Sequence, residues 1–341
     1  MVQDNTCYDV TIIGGGPAGL YAAFYSGMRD LKTKVIEHEK ELGGKINVYK
    51  EKTIWDVGGL PPTNGSQLIS QLIDQSSTFR PTIALGEQVV DIQRMNNGLF
   101  HITTNKNRNH YSKTIILATG YGILRQAKLN IEGAEVFETS NLHYTVTNLE
   151  QFRQKHVVIS GGGNSAVDWA NELEPMAKSV TVVHRRDQFG GHETFVARMR
   201  QSSVDILTPY AIDDVKASPD GCCIEQVTLK HCENEQCHFQ ETDAVIVNHG
   251  YQPDLSFLDH HPLGLQVEER RLRTSPQMET SASGIFAAGD ISNHSSSIPL
   301  IAGAFTEAGL AVNAAKLYIH PNAARYARVS SHNDRFKTTT V

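Results

Sequence analysis

Short apolar runs alternate with amphipathic stretches along the first part of the chain. The run YDVTII at 8–13 predicts a buried strand, residues 17–28 a helix, and TKVIE at 33–37 a second strand. Alternation of this kind predicts an α/β sheet. After a Pro-Thr-Asn-Gly turn, SQLISQLIDQSST at 66–78 carries apolar residues at helical spacing. From 82 to 117 the period shortens to that of strands with polar turns, which predicts an inserted antiparallel meander. The order then repeats: a strand at 156–160, a helix from about 164 to 175, a strand at 179–184, a further helix, a hairpin region at 223–247 and a strand ending in NHGYQP. Residues 252–284 read as irregular, IFAAGD at 285–290 as a buried strand, and 303–319 as a long helix ahead of a polar tail.

Each repeat places glycines between its first strand and its helix. The first reads Gly14-x-Gly16-x-x-Gly19, and the second reads Gly161-x-Gly163-x-x-Ala166 with Asn164 and Ser165 between. In such a loop the first glycine permits a sharp turn and the second lets the backbone approach a pyrophosphate. The third position, Gly or Ala, lets helix and strand pack closely. The helix N-terminus adds unpaired N–H groups and a favourable dipole. One such loop is a weak signal. Here both follow an apolar strand, both open a helix, and both are followed by a second strand ending 18 residues after the last loop residue, at Glu37 and His184.

Those strand ends differ in charge. Glu37 suits the free hydroxyls of an adenosine ribose, hence FAD or, less well, NAD. His184, Arg185 and Arg186 suit a 2′-phosphate, hence NADPH, because guanidinium groups bind phosphate bidentately. Asp290, after the buried strand at 285, adds an acid for ribityl or ribose hydroxyls. The helix after it is expected to turn its N-terminus to the flavin.

Composition narrows the setting. A chain of 341 residues accommodates two domains, and a net charge of −6 argues against nucleic-acid binding. No apolar run approaches the roughly 20 residues of a membrane span, and MVQDNTCYD lacks a signal peptide's basic and apolar regions. Five cysteines make a disulfide framework unexpected, so a cytoplasmic protein follows. His231, Cys232, Cys237 and His238 stand close enough to raise zinc. Their flanks read instead as a hairpin, in which neighbouring residues point to opposite faces and no metal is held.

GGGPAG, Glu37, GGK at 43–45, LATG at 117–120, GGGNSA, HRRD and AAGD occur in the order of the small two-domain pyridine nucleotide–disulfide oxidoreductases, which the chain resembles along nearly its whole length. Thioredoxin reductases of that group carry Cys-x-x-Cys just before the second loop. Here SNLHYTVTNLEQFRQKHVVISGGG has no cysteine, which excludes that dithiol route. SNLHYTV, GGGNSAVDWANEL, HRRDQFGGHE and the C-terminal extension instead resemble the thioredoxin-reductase-like ferredoxin/flavodoxin–NADP⁺ reductases.

The resemblance implies an α/β fold of two Rossmann-like, three-layer ββα domains. The FAD domain (1–120 and 251–341) is split by an inserted NADPH domain (121–250). It implies a homodimeric FAD enzyme that exchanges hydride with NADPH and single electrons with ferredoxin or flavodoxin. Ala18, Glu37, Lys45, Val89, Leu124 and Asp290 are carried over as FAD contacts. Tyr49 is expected on one flavin face, with Ser331 and His332 of the tail covering the other, in the partner subunit. Lys45 stands where Gln is frequent. Gly190 stands where an Arg is expected, which leaves the phosphate to Arg185 and Arg186. Three alternatives stay open: an NADPH oxidase or diaphorase, a reductase of low-molecular-weight disulfides (against which Pro17 and Ala18 stand in place of a loop cysteine), and a non-catalytic nucleotide sensor.

Overall fold

The computed structural model describes residues 6–146, 148–254, 263–333 and 336, with the side chains of 124, 125 and 252–254 outside that description. The chain divides into two compact units, one from 1–123 with 253–341 and one from 124–252.

The first unit begins with β1 (Cys7–Ile13), α1 (Pro17–Met28) and β2 (Thr33–Glu37). Pro17 at the first helical position sets φ and gives up an N–H that would have no helical partner. Next come α2 (Gly65–Ser77), with the Asn64 side chain accepting from the Gln67 N–H at its start, and β3 (Thr82–Leu85). β4 (Val89–Arg94), β5 (Phe100–Thr104) and β6 (Asn109–Leu117) close the segment.

The second unit contains β7 (Leu142–His143), β8 (His156–Ser160), α3 (Asn164–Leu173), β9 (Ser179–Val183), α4 (Glu193–Gln201) and β10 (Asp205–Leu207). β11 (Tyr210–Ala217), β12 (Ile224–His231), β13 (Cys237–Glu241) and β14 (Ala244–Val247) follow. The first unit resumes with β15 (Ile285–Ala287) and α5 (Ile301–Ile319).

In the first unit one sheet runs β3-β2-β1-β6-β5-β4, with β15 also paired to β6. β1, β2, β3 and β15 are parallel to their neighbours, whereas β4–β5 and β5–β6 are antiparallel. The alternation of side chains along a strand sorts the core into two faces. Val10, Ile12 and Ile116 meet the alanines of α1 and α5. Ile13, Ile36, Ile115 and Leu117 meet Ile92, Phe100 and Ile102 of the meander. Helices, parallel strands and meander are therefore three layers.

The second unit repeats the arrangement. A parallel sheet β7-β14-β8-β9-β10 buries Val157, Ile159, Val180 and Val182 against α3 and Met199 of α4. Its other face sets Val158, Val183, Val245 and Val247 against Ile212, Ile224, Val227 and Leu229 of the antiparallel β11-β12-β13.

Three expectations change. The meander does not begin at 82: β3 is a parallel edge strand, Lys34 facing Thr82 through Glu37 facing Leu85, and is too short and exposed to show a period. The hairpin region at 223–247 does hold an antiparallel hairpin, β12–β13, but β11 (Tyr210–Ala217) joins it as a third strand from outside the region and Ala244–Val247 is the separate parallel β14. The irregular stretch holds two short antiparallel strands at Val267–Glu268 and Arg271–Arg273. At the β12–β13 turn Cys232 and Cys237 are exposed, and no group able to hold a metal occurs among the described residues.

Candidate functional sites: two glycine loops

Gly14 ends β1 with φ +111, and a Cβ there would run into the Ala118 carbonyl at the end of β6. A Cβ on Gly19 would run into the Gly14 carbonyl, so the helix lies as close to its strand as backbone permits. Gly16 is different. Its φ is −79, and the nearest atom to an added Cβ is Gly44 Cα at 3.6 Å, an ordinary contact. Neither strain nor crowding calls for glycine there, whereas close approach of a ligand does. No side chain caps α1, so its first-turn N–H groups remain open to an anion.

The middle glycine, which the spacing pattern ignores, carries the strand-end acid to the loop. Gly15 N–H donates to Glu37 Oε2 at 2.5 Å, while Glu39 N–H donates to Oε1 at 2.8 Å and His38 Nδ1 lies 2.7 Å from that oxygen. Glu37 is 3% exposed. Burial pushes its carboxyl upward, but the His38 hydrogen bond and those from Glu39 and Gly15 outweigh it and hold the group below the ordinary range. With three donors placed, Oε2 keeps a free lone pair for a hydroxyl donor.

Around this loop Ala18 is buried, and Gly289 (φ +80) is so close that an added Cβ would stand 3.1 Å from Ala18 Cβ. Asp290 is thereby placed beside the loop. Tyr49, at the end of a 3₁₀ turn over Gly44–Tyr49, is pushed up to about 12 by burial and by the charges of Asp290 and Asp56. Lys45 is exposed, its Nζ 4.8 Å from the ring centre of Tyr121. Val89 is buried among the meander contacts. Two buried oxygens, Asn47 Oδ1 and Thr119 Oγ1, have no hydrogen-bond partner, and both residues adjoin glycines of the loop region. The side chain of Leu124 lies outside the described residues.

Ser331 and His332 are exposed and do not join this group. Their segment is tied to the other end of α1: Asn333 Nδ2 donates to Met28 O at 3.1 Å, and Arg29 donates to Ala324 O at 2.5 Å. A helix of 12 residues puts that end about 18 Å from the loop.

The second loop repeats the first with different chemistry. Gly161 (φ +146) is pressed against the Asn248 carbonyl at the end of β14, and Gly162 against the ring of His184. Gly163 has φ −84, caps α3 without a side chain, and would meet nothing within 4 Å if given a Cβ. Ala166 is fully buried, Asn164 and Ser165 are exposed, and Asn164 Oδ1 accepts from the His192 N–H at 3.1 Å. Gly190 N–H donates to Gly162 O at 2.7 Å. Arg185 and Arg186 are exposed beside the half-buried His184. Burial holds the His184 imidazole below its ordinary range, against the pull of the Gln188 backbone and with Arg186 and Arg185 adding to the effect.

Two residues here carry no motif signal. His249 is exposed as a residue, but its Nε2 lies 2.8 Å from Ser160 Oγ, and partial desolvation of the ring, then Arg185 and His184, push the imidazole down. Asn248 Oδ1 is buried without a partner. Both follow β14 as Ala118 and Thr119 follow β6, a correspondence visible only once the sheets are known.

Two loops of this construction, each between a parallel strand and an uncapped helix, have the form of nucleotide-binding loops. The chain belongs to the pyridine nucleotide-disulphide oxidoreductase family, whose model matches residues 8–315. It is similar to Ferredoxin–NADP reductase 1 of Bacillus pumilus (strain SAFR-032), 53% identical over 337 residues, covering 99% of this chain and 96% of that one. It is also similar to Ferredoxin–NADP reductase 1 of Shouchella clausii (strain KSM-K16), 52% identical over 336 residues, covering 98% and 95%. Among solved structures, Lactococcus lactis thioredoxin reductase matches with a TM-score of 0.76 at 26% identity, covering 92% of this chain and 99% of that one. No helix among the described residues is long and apolar enough to cross a membrane.

Proposed function

We propose that this protein is a ferredoxin– or flavodoxin–NADP⁺ reductase, a cytoplasmic homodimer that passes electrons between NADPH and a small redox protein by way of FAD. The observation that carries the reading is the pairing of two uncapped glycine loops with strand ends of opposite charge, in a chain with no cysteine between Cys7 and Cys222. The dithiol route has no cysteines before the second loop, while both loops keep the glycines, open helix start and strand-end charges that a nucleotide site uses. The full-length likeness to proteins named ferredoxin–NADP reductase supports the choice of carrier.

FAD is assigned to the first unit. Gly14, Gly16, Ala18 and Gly19 seat its pyrophosphate, Glu37 accepts from its ribose, and Asp290, Lys45, Tyr49, Val89 and Leu124 line the rest. The orphaned Asn47 and Thr119 oxygens fit a ligand that supplies hydrogen-bond donors. NADPH is assigned to the second unit, its pyrophosphate over Gly161, Gly163, Asn164, Ser165 and Ala166, and its 2′-phosphate to His184, Arg185 and Arg186. Bound FAD supplies the ability to take a hydride and release electrons singly. The chain's own residues position and screen the cofactors. Ser331 and His332, held at the far end of α1 from their own loop, serve the partner subunit's cofactor.

The test is anaerobic addition of NADPH to the purified protein, followed by cytochrome c reduction with and without a ferredoxin or flavodoxin. Bleaching of bound flavin and a carrier-dependent rate are expected. No flavin or no bleaching overturns the reading, and bleaching without carrier stimulation makes the protein a diaphorase.

A further inference from the structure

Glu307 lies in the second turn of α5, among alanines, yet is 4% exposed. Its carboxylate accepts from four groups, all in the loop that joins β15 to α5. Gly289 N–H donates to Oε2 at 2.8 Å and the Ser292 hydroxyl lies 2.7 Å from the same oxygen. The Ser297 hydroxyl donates to Oε1 at 3.0 Å, and His294 Nε2 stands 3.0 Å from it. Ser296 N–H points at His294 Nδ1, which fixes the ring with its proton on Nε2, toward Glu307. Both carboxylate oxygens are saturated.

A buried carboxylate with four donors is a rigid clamp, because loss of any one leaves a desolvated polar group. The clamped segment is the one that matters to the first site. Gly289, whose N–H is gripped, abuts Ala18 of the glycine loop, and its neighbour is Asp290, whose charge reaches Tyr49. We propose that Glu307 is a positioning residue for the FAD site: it fixes the 289–297 loop, and through it Asp290, against the first glycine loop. The inference rests on the assignment of FAD to this unit.

FAD-stripped full-length protein is titrated with FAD, following quenching of flavin fluorescence, for wild type, D290A, E307Q and the double variant. The Glu307→Gln change would present an amide N–H₂ to groups that are themselves donors. Each single change is expected to weaken FAD binding by about tenfold or more, and E307Q is expected to add less than about twofold in the D290A background. A purely structural role would give effects that multiply. Wild-type affinity in E307Q, or multiplying effects, overturns the inference while leaving the FAD assignment standing. Wild-type affinity in D290A removes Asp290 from the FAD site, and the inference falls with it. Should E307Q not fold, S292A and S297A each remove one donor and are expected to show the same loss of effect in the D290A background; multiplying effects overturn the inference equally.

Discussion

The two glycine loops have one backbone plan and opposite surroundings. At the first, the strand-end residue Glu37 is buried and already bound to the loop by the Gly15 N–H. At the second, Arg185 and Arg186 stand in solvent and Gly163 faces open space. Dry, prearranged polar groups suit a ligand that stays, since their ordering cost is met at folding. Exposed guanidinium groups suit one that is captured electrostatically and released. Under the proposed assignment, a resident cofactor and an exchanging co-substrate are distinguished by burial around a common loop.

The comparison is broken most directly at the glycines. Gly14→Ala places a methyl against the Ala118 carbonyl at φ +111 and is expected to destabilise FAD-free protein by about 3 kcal/mol. Gly163→Ala, unstrained and uncrowded, is expected to stay within about 0.5 kcal/mol while weakening NADPH binding. Urea melts of the two variants check this, and equal losses would end the distinction between packing and ligand-facing glycines.

Arg185→Ala with Arg186→Ala is expected to raise KM for NADPH by about 10- to 100-fold and to leave NADH unchanged. Steady-state kinetics with both nucleotides decide it. Glu37→Gln is expected to weaken FAD by about tenfold, measured by flavin release. Its pH dependence sharpens the contrast further. The folded carboxyl titrates below its ordinary 4.5, so the unfolded chain binds the proton first; stability is present above 4.5 and lost as pH falls below it. Acid melts of Glu37→Gln should therefore be flatter than those of wild type.

The smallest effect belongs to the second loop. His249 is held below its ordinary 6.5, so stability falls as pH drops through 6.5. His249→Gln should remove part of that slope in melts between about pH 7 and 5.5. An unchanged slope would mean that His249 titrates alike in both states.

Both strand–loop–helix units were legible in the residues because short-range signals agreed: alternating apolar runs, Pro17 at a helix start, and strand ends set at equal distances from their loops. What was not legible depends on long-range pairing. Glu307 in a helical pattern reads as a surface charge, and only donors 10 to 18 residues upstream explain its burial. Asn248 and Thr119 gain meaning from being at the ends of strands that flank the first strand of each unit. The middle glycines 15 and 162 sit at positions the motif leaves free, yet they contact Glu37 and His184 directly. β3 is exposed along most of its length, so no burial period announces it.

β6 takes two kinds of partner along one short strand. Asn109–Ser112 pair antiparallel with β5, and Ile115–Leu117 pair in parallel with β15. That second partner is synthesised only after the whole of 124–252. As the chain leaves the ribosome, the edge at Ile115–Leu117 waits open while the intervening unit, which needs nothing from outside itself for its sheet, can close first. The unpaired edge is an aggregation hazard during that interval. Translation halted before residue 285 lacks β15 and the helix α5 that covers the other face of the sheet, and should therefore yield a folded nucleotide-binding insert on a first unit that recruits chaperones.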